Sequence, residues 1–179
     1  MSVFSNRSID APQERARYAE AVLGLVGGRP PMSVLRETPD AARRAVEGLT
    51  PQQLRAPEAP GKWSIAQVLQ HLADSDLVWG WRLRLILAQD RPTLTGYDQD
   101  LWAERLHYAD ADAAEALEQL RVLRRGNLGL IERATPQDLK RVGVHSERGE
   151  ESVEYLCGLY AGHDMLHLRQ IDRIKTSLA

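Results

Sequence analysis

SVEYLCGLYAGHDMLHLRQIDRIKTS, residues 152–177, decides the fold. Within it Val153, Leu156, Tyr160, His163, His167, Gln170 and Ile174 step by three and four, the spacing of one helix face turned toward a bundle interior. Two histidines therefore stand at core positions. Separated by four residues, they lie one turn apart on the same face and can reach one ion at about 2.0 to 2.1 Å. A bare H-x-x-x-H is also what a core histidine beside a partly exposed one produces, so the pair calls for a third ligand from another element. Asp164 makes the pattern H-D-x-x-H, one methylene short of the metalloprotease H-E-x-x-H, and no protease is read from it. Cys157 lies about 120° from His163 around the helix and reads as a small buried residue rather than a ligand or nucleophile.

Working outward, Ser64 caps a second long helix whose Ile65, Val68, Leu69, Leu72, Trp79, Leu83 and Ile86 form one apolar stripe, ended by Asp90 and Pro92. His71 sits at the edge of that stripe and is the candidate third ligand. Ser75, Val78 and Arg82 fall nearest its direction, Arg82 about 16 Å further along the axis. Arg82 is thus either a residue at the mouth of a pocket or a solvated surface residue. His107 and His145 read as surface histidines. Each of the four tryptophans reads first as packing, but Trp63 and Trp102 stand near loops, where an indole can wall a pocket.

The remaining chain is read by its punctuation. A first helix is expected over Pro12 to Val26, closed by Gly27, Gly28, Pro30 and Pro31. Thr38 followed by Pro39 predicts a helix start lasting to about Gly48, and Thr50 with Pro51 a single turn. Asp100 to His107 predicts a short helix. Ala111 to Ala134 predicts a long one with Leu117, Leu120, Leu123, Leu128 and Ile131 inside. Residues 141–150 predict a loop or small hairpin. Long and short helices without a convincing set of strands give an all-α, four-helix bundle with short extra helices and loops, as one domain over residues 1–179.

Composition narrows the setting. The 179 residues carry 23 basic and 25 acidic side chains, a formal charge of −2, which gives no electrostatic reason for a nucleic-acid or anionic-membrane partner. No stretch approaches the roughly 18 to 20 apolar residues of a membrane span. Residues Met1 to Ala11 lack the apolar core of a signal peptide. One cysteine cannot close an internal disulfide, and a cytoplasmic location is expected.

The segments GKWSIAQVLQHLADSD around His71, RPTLTGYDQDLWAE, and ERGEESVEYLCGLYAGHDMLHLRQI around His163 and His167 together resemble the DinB/YfiT-like superfamily of metal-binding four-helix bundles. The resemblance covers nearly the whole chain. It implies a divalent ion, commonly zinc or nickel, held by His71, His163 and His167, and a homodimer. The chain departs from the W-H-x-x-H-H pattern of the YfiT-like branch, with Gly162 before the first of the paired histidines and Leu166 before the second. Arg82, Trp63, Trp102 and Tyr97 are the candidate substrate-binding residues.

Three neutral histidines leave a divalent ion with net charge and an open position, as in catalytic rather than structural zinc sites. A thiol bound there becomes a thiolate nucleophile. A water bound there supports hydrolysis. The resemblance implies reactions of low-molecular-weight thiols in some branches and metal-dependent hydrolysis in others. The leading expectation is transfer of a bacillithiol-like or mycothiol-like thiol to an electrophilic small molecule, because no carboxylate is placed by spacing as a general base. Hydrolysis and a non-catalytic, metal-dependent binding or stress-response role remain the alternatives.

Overall fold

The computed structural model describes residues 12–178, with side chains from Arg17 onward; Ala179 and residues 1–11, where the signal-peptide reading falls, lie outside the described residues. Helix α1 spans Pro12–Gly24, α2 Pro31–Ala45, α3 Pro51–Arg55, α4 Ile65–Ala88, α5 Gln99–Arg105, α6 Ala113–Arg133 and α7 Val153–Ser177. The four longest, α2, α4, α6 and α7, form the expected bundle. In it α4 packs on α6 and α7, and α2 packs on the same two, while α1 lies against α7. No helix among the described residues is long and apolar enough to cross a membrane.

Helix starts follow their caps. Ser64 accepts from the Gln67 amide while Gln67 Oε1 accepts from the Ser64 amide, a reciprocal box that begins α4 seven residues before His71. Ser152 accepts from the Tyr155 amide and begins α7. Asp98 starts α5 one residue earlier than expected, and Asp112 starts α6.

The expected helix start at Thr38 is overturned. Helix α2 begins seven residues earlier, at Pro31, and Pro39 lies inside it. A proline there lacks the N–H that would satisfy the carbonyl four residues back, here Leu35. Arg124 Nη1 of α6 donates to that carbonyl at 2.7 Å, so a tertiary bond replaces the missing helical one. The Thr38 hydroxyl, rather than capping, donates back to Val34 O at 2.9 Å.

Residues 141–150 resolve into a hairpin of β2 (Val142–His145) and β3 (Gly149–Ser152), antiparallel with Val142 opposite Ser152. A two-residue strand β1 (Thr93–Leu94), absent from the sequence reading, pairs parallel to β2 with Thr93 opposite Val144. This small sheet pairs the segment leaving α4 with the hairpin that leads into α7.

The apolar core comes in two clusters. One gathers Trp79, Leu83 and Ile86 of α4 with Leu156, Tyr160 and Ala161 of α7; the other gathers Leu69 and Leu72 with Ile171 and Ile174. Between them along α7 lies a polar layer.

Candidate metal centre

That layer holds the histidines. His71 Nε2 stands 3.1 Å from His163 Nε2, which stands 3.1 Å from His167 Nε2, and the three ligand atoms lie within 4.8 Å of one another. Nitrogens on neighbouring positions of an ion at about 2.0 to 2.1 Å are separated by about 3 Å, so the spacing fits shared coordination. His71 and His167 are buried, and His163 is partly open. Trp63 packs against the His71 ring, with centroids 5.1 Å apart.

The protonation pattern points the same way. His167 Nδ1 donates to Gln170 Oε1 at 2.8 Å, which leaves the lone pair on Nε2 facing the other two rings. Burial lowers the pKa of all three imidazoles, His71 well below its ordinary value, His163 to about 4 and His167 to about 3. Each lies below the usual value of 6.5. Lesser causes are the neighbouring histidines for His71 and His167, and Arg124 for His163. At neutral pH the cluster is a set of uncharged nitrogen donors, the form that binds a metal. Nδ1 of His71 and of His163 meets no hydrogen-bond partner among the described residues.

Beside the histidines lies an ion-pair network that the sequence reading missed. Arg124, 2% exposed, donates to both oxygens of Asp164 at 2.7 and 3.0 Å and from Nε to Asp76 Oδ2 at 2.9 Å. Asn127 Nδ2 adds a bond to Asp76 Oδ1 at 2.9 Å. Burial opposes the Arg124 charge, but the two carboxylates hold its pKa above the ordinary value; burial also pushes the Asp76 carboxyl up. Asp164, although it follows His163, is committed to Arg124 and is not placed as a base. A signal was available: Leu120, Arg124, Asn127 and Ile131 step by four, three and four, so the two polar residues share the buried seam of α6. Leu117, Leu123 and Leu128, expected inside, are only partly buried.

A cavity of about 100 Å³ opens beside His163, lined among others by Arg82, Tyr160, Tyr97, Ser75 and Glu147. Arg82 is not at a mouth. It is 5% exposed, part of the cavity wall, with Nη1 donating to Tyr160 Oη at 3.3 Å and Nη2 to Thr95 O at 2.8 Å. Tyr97 shares a 3.2 Å hydrogen bond with Ser75, and Trp102 packs behind Tyr97 at 4.5 Å between centroids. Trp63 and Trp102 therefore back the site and do not line this cavity.

His145, read as a surface residue, is 2% exposed, because the β2 register turns it inward beside Arg82. His107 is exposed as expected, with a left-handed backbone at φ 55°. Cys157 is buried, and burial pushes its thiol up to about 12, so it carries no thiolate near neutral pH.

Residues 35–171 match the DinB superfamily. Among curated proteins the chain is similar to YfiT of Bacillus subtilis (strain 168), 33% identical over 144 residues, 80% of this chain and 81% of that protein. It is also similar to a protein of Oceanobacillus iheyensis, 30% identical over 137 residues, 76% of this chain and 79% of the other. Both carry the name "putative metal-dependent hydrolase". The solved structure of Bacillus subtilis YfiT, described as an unusual four-helix bundle topology, superposes with a TM-score of 0.77 at 31% identity, covering 83% of this chain and 85% of that one. With the match running from α2 to α7, through all three histidines, this chain belongs to the DinB superfamily.

Proposed function

We propose that the protein is a divalent-metal-dependent enzyme, with zinc or nickel held by His71, His163 and His167, that transfers a low-molecular-weight thiol to an electrophilic small molecule. The observation that carries this reading is the convergence of three neutral Nε2 atoms beside a cavity reached through His163. A divalent ion held there would supply Lewis acidity, lowering the pKa of a thiol or water in its open position. The chain's own residues do the rest. Gln170 orients His167, Trp63 packs behind His71, and Tyr97, Arg82 and Tyr160 wall the space for substrate. Asp76 and Asp164, the buried carboxylates nearest the triad in sequence, are spent on Arg124. That favours a reaction in which the nucleophile needs no strong protein base, as a bacillithiol-like or mycothiol-like thiol does not.

Hydrolysis is the second reading. Glu147 lines the cavity and would serve as the base it requires, and the relatives' names favour it. Screening metal-loaded protein for conjugation of small thiols to electrophiles, against hydrolysis of esters and amides, with elemental analysis alongside, separates the two. Thiol conjugation that disappears in His163→Ala and His167→Ala, together with bound metal but not helicity by circular dichroism, supports the proposal. Hydrolysis without conjugation replaces it by the second reading. Full metal content without either turnover leaves a metal-dependent binding protein.

A further inference from the structure

We propose that the outer face shared by α4 and α6 binds the same face of a second copy of this chain, antiparallel, to form an isologous homodimer. The inference concerns a surface away from the histidines and holds whichever reaction they support.

Of the five large apolar side chains exposed among the described residues, three gather on this face: Leu77 and Trp81 of α4 and Val122 of α6. Trp81, 62% exposed, is the least covered of them. They flank a groove of about 350 Å³ in which Gly80 and Gly126 leave room. A Cβ at Gly80 would fall on Asn127 Oδ1, so glycine lets the two helices approach beneath the groove. An indole standing in water beside an apolar groove has the composition of an interface centre.

Charge says what covers it. The two helices run parallel: Gln70 donates to Gln119 Oε1 at 3.3 Å, and further along both, Arg84 donates to Asn127 Oδ1 at 3.3 Å. At about 100° per residue, Asp74, Leu77 and Arg84 lie within about 60° of Trp81 around α4, and Glu115, Val122 and Arg133 within about 40° of Gly126 around α6. Both stripes read acid, apolar, base. Asp74 and Glu115 close one end, where they line a pocket together with Asp110 and Asp112, and Arg84 and Arg133 stand toward the other. None of these four stripe charges pairs with an opposite charge among the described residues: Asp74 accepts from Gln70 and Tyr108, and Arg84 donates to Gly80 O and Asn127. Charges just off the face are matched within the chain, Glu118 by Arg121 and Glu132 by Arg36.

The pattern is centred. On α4 the charged pair and the apolar pair share one midpoint, Trp79; on α6 Glu115 with Arg133, and Val122 with Gly126, share Arg124. The Arg124 guanidinium stands 5.6 Å from the Trp79 ring centroid, so the two midpoints lie at nearly one height. A twofold axis in the plane of the face, perpendicular to the helices at that height, lays α4 on α4 and α6 on α6, each pair antiparallel. Asp74 then meets Arg84 of the partner subunit, Glu115 meets Arg133 of the partner subunit, and Trp81 packs toward Leu77 of the partner subunit. An axis parallel to the helices would set acids against acids. Exposed ion pairs add little affinity, so the apolar centre supplies the attraction and the charges select the orientation. Ser75 and Arg82, which line the cavity beside His163, point about 100° or more away from Trp81 around α4, so the dimer leaves that cavity open.

Sedimentation equilibrium of the full chain tests the proposal. At about 10 μM the wild type should have the mass of two chains. Trp81→Ser, present twice per dimer, should weaken association about 100-fold. Glu115→Arg and Arg133→Glu should each weaken it about tenfold, and the double variant, which re-forms the pairs with their signs exchanged, should recover most of that loss. A monomeric wild type, whether its face is bare or covered by residues 1–11, overturns the proposal. So does a dimer that Trp81→Ser does not weaken, or a double variant no tighter than the two single ones. Circular dichroism checks that each variant folds. Should one not fold, hydrogen exchange of the wild type decides: slowing of amides within 74–84 and 115–133 as concentration rises upholds the face, and slowing confined to other segments overturns it.

Discussion

Gln170 touches no substrate space, yet its Oε1 determines which nitrogen of His167 faces the centre. Replacing it by Leu removes the acceptor and lets the imidazole change tautomer. Metal affinity should then fall about 10- to 100-fold, the usual effect of losing an outer partner, with far-UV circular dichroism unchanged. A competition titration against a chromophoric chelator measures it. The three imidazoles also make metal-free protein sensitive to acid. Their pKa values are lowered on folding, to about 4 for His163 and about 3 for His167, so between these values and 6.5 the unfolded chain binds more protons than the native one. Their contribution to stability is full above about pH 6.5 and is lost as pH falls toward about 4. Urea midpoints of chelated protein should therefore decline through this window, and His163→Ala should flatten the decline.

At the level of elements, the bundle is tied where its helices are least regular. Pro39 breaks the α2 hydrogen-bond ladder at Leu35 O, and Arg124 from α6 closes the gap while gripping Asp76 on α4 and Asp164 on α7. One side chain joins four helices. Asp76 lies five residues after His71 and Asp164 one after His163, so the same tie holds the register that brings the histidines together. Arg124→Met leaves two buried carboxylates and a carbonyl without their donor. It should cost about 3 to 5 kcal/mol in denaturant unfolding, as loss of one member of a buried ion pair does. Arg124→Lys should rescue little of this, because an ammonium cannot fork onto Asp164 while reaching Leu35 O.

Across the whole molecule the polar layer sits between two apolar clusters, each contributed by both α4 and α7. Neither cluster depends on an ion for its burial, so chelation should lower the melting temperature without unfolding the protein. At a free metal concentration about 100 times Kd, the ion adds about 2.7 kcal/mol by mass action. Calorimetry with and without chelator, and circular dichroism at 25 °C, should show a shifted transition with unchanged helicity. Unfolding on chelation would make the site structural. Tight helix contact also shapes the cavity: a Cβ at Gly162 would fall on the Val22 carbonyl of α1, so glycine beside His163 lets that helix close on the site, and Val22 lines the cavity.

Periodicity alone determined the long helices α4 and α7, because a bundle helix must repeat its buried residues at three and four, and that repeat placed His163 and His167 inward. The cap at Ser64 was legible because it acts within four residues. The same local rule misread Thr38 and Pro39, whose helix survives through a bond from a residue 85 positions after Pro39 that no local pattern encodes. Arg124, Asp76 and Asp164 are polar residues at buried seams, unfavourable one by one and stable only as a set. His145 lies in a hairpin too short to show an inward face, until β2 pairs with both its neighbours. Tertiary structure thus decided which buried charges are neutralised, Arg124 by Asp76 and Asp164, and left the buried Arg82 without a carboxylate partner among the described residues, because charge compensation depends on distances between helices far apart in the chain.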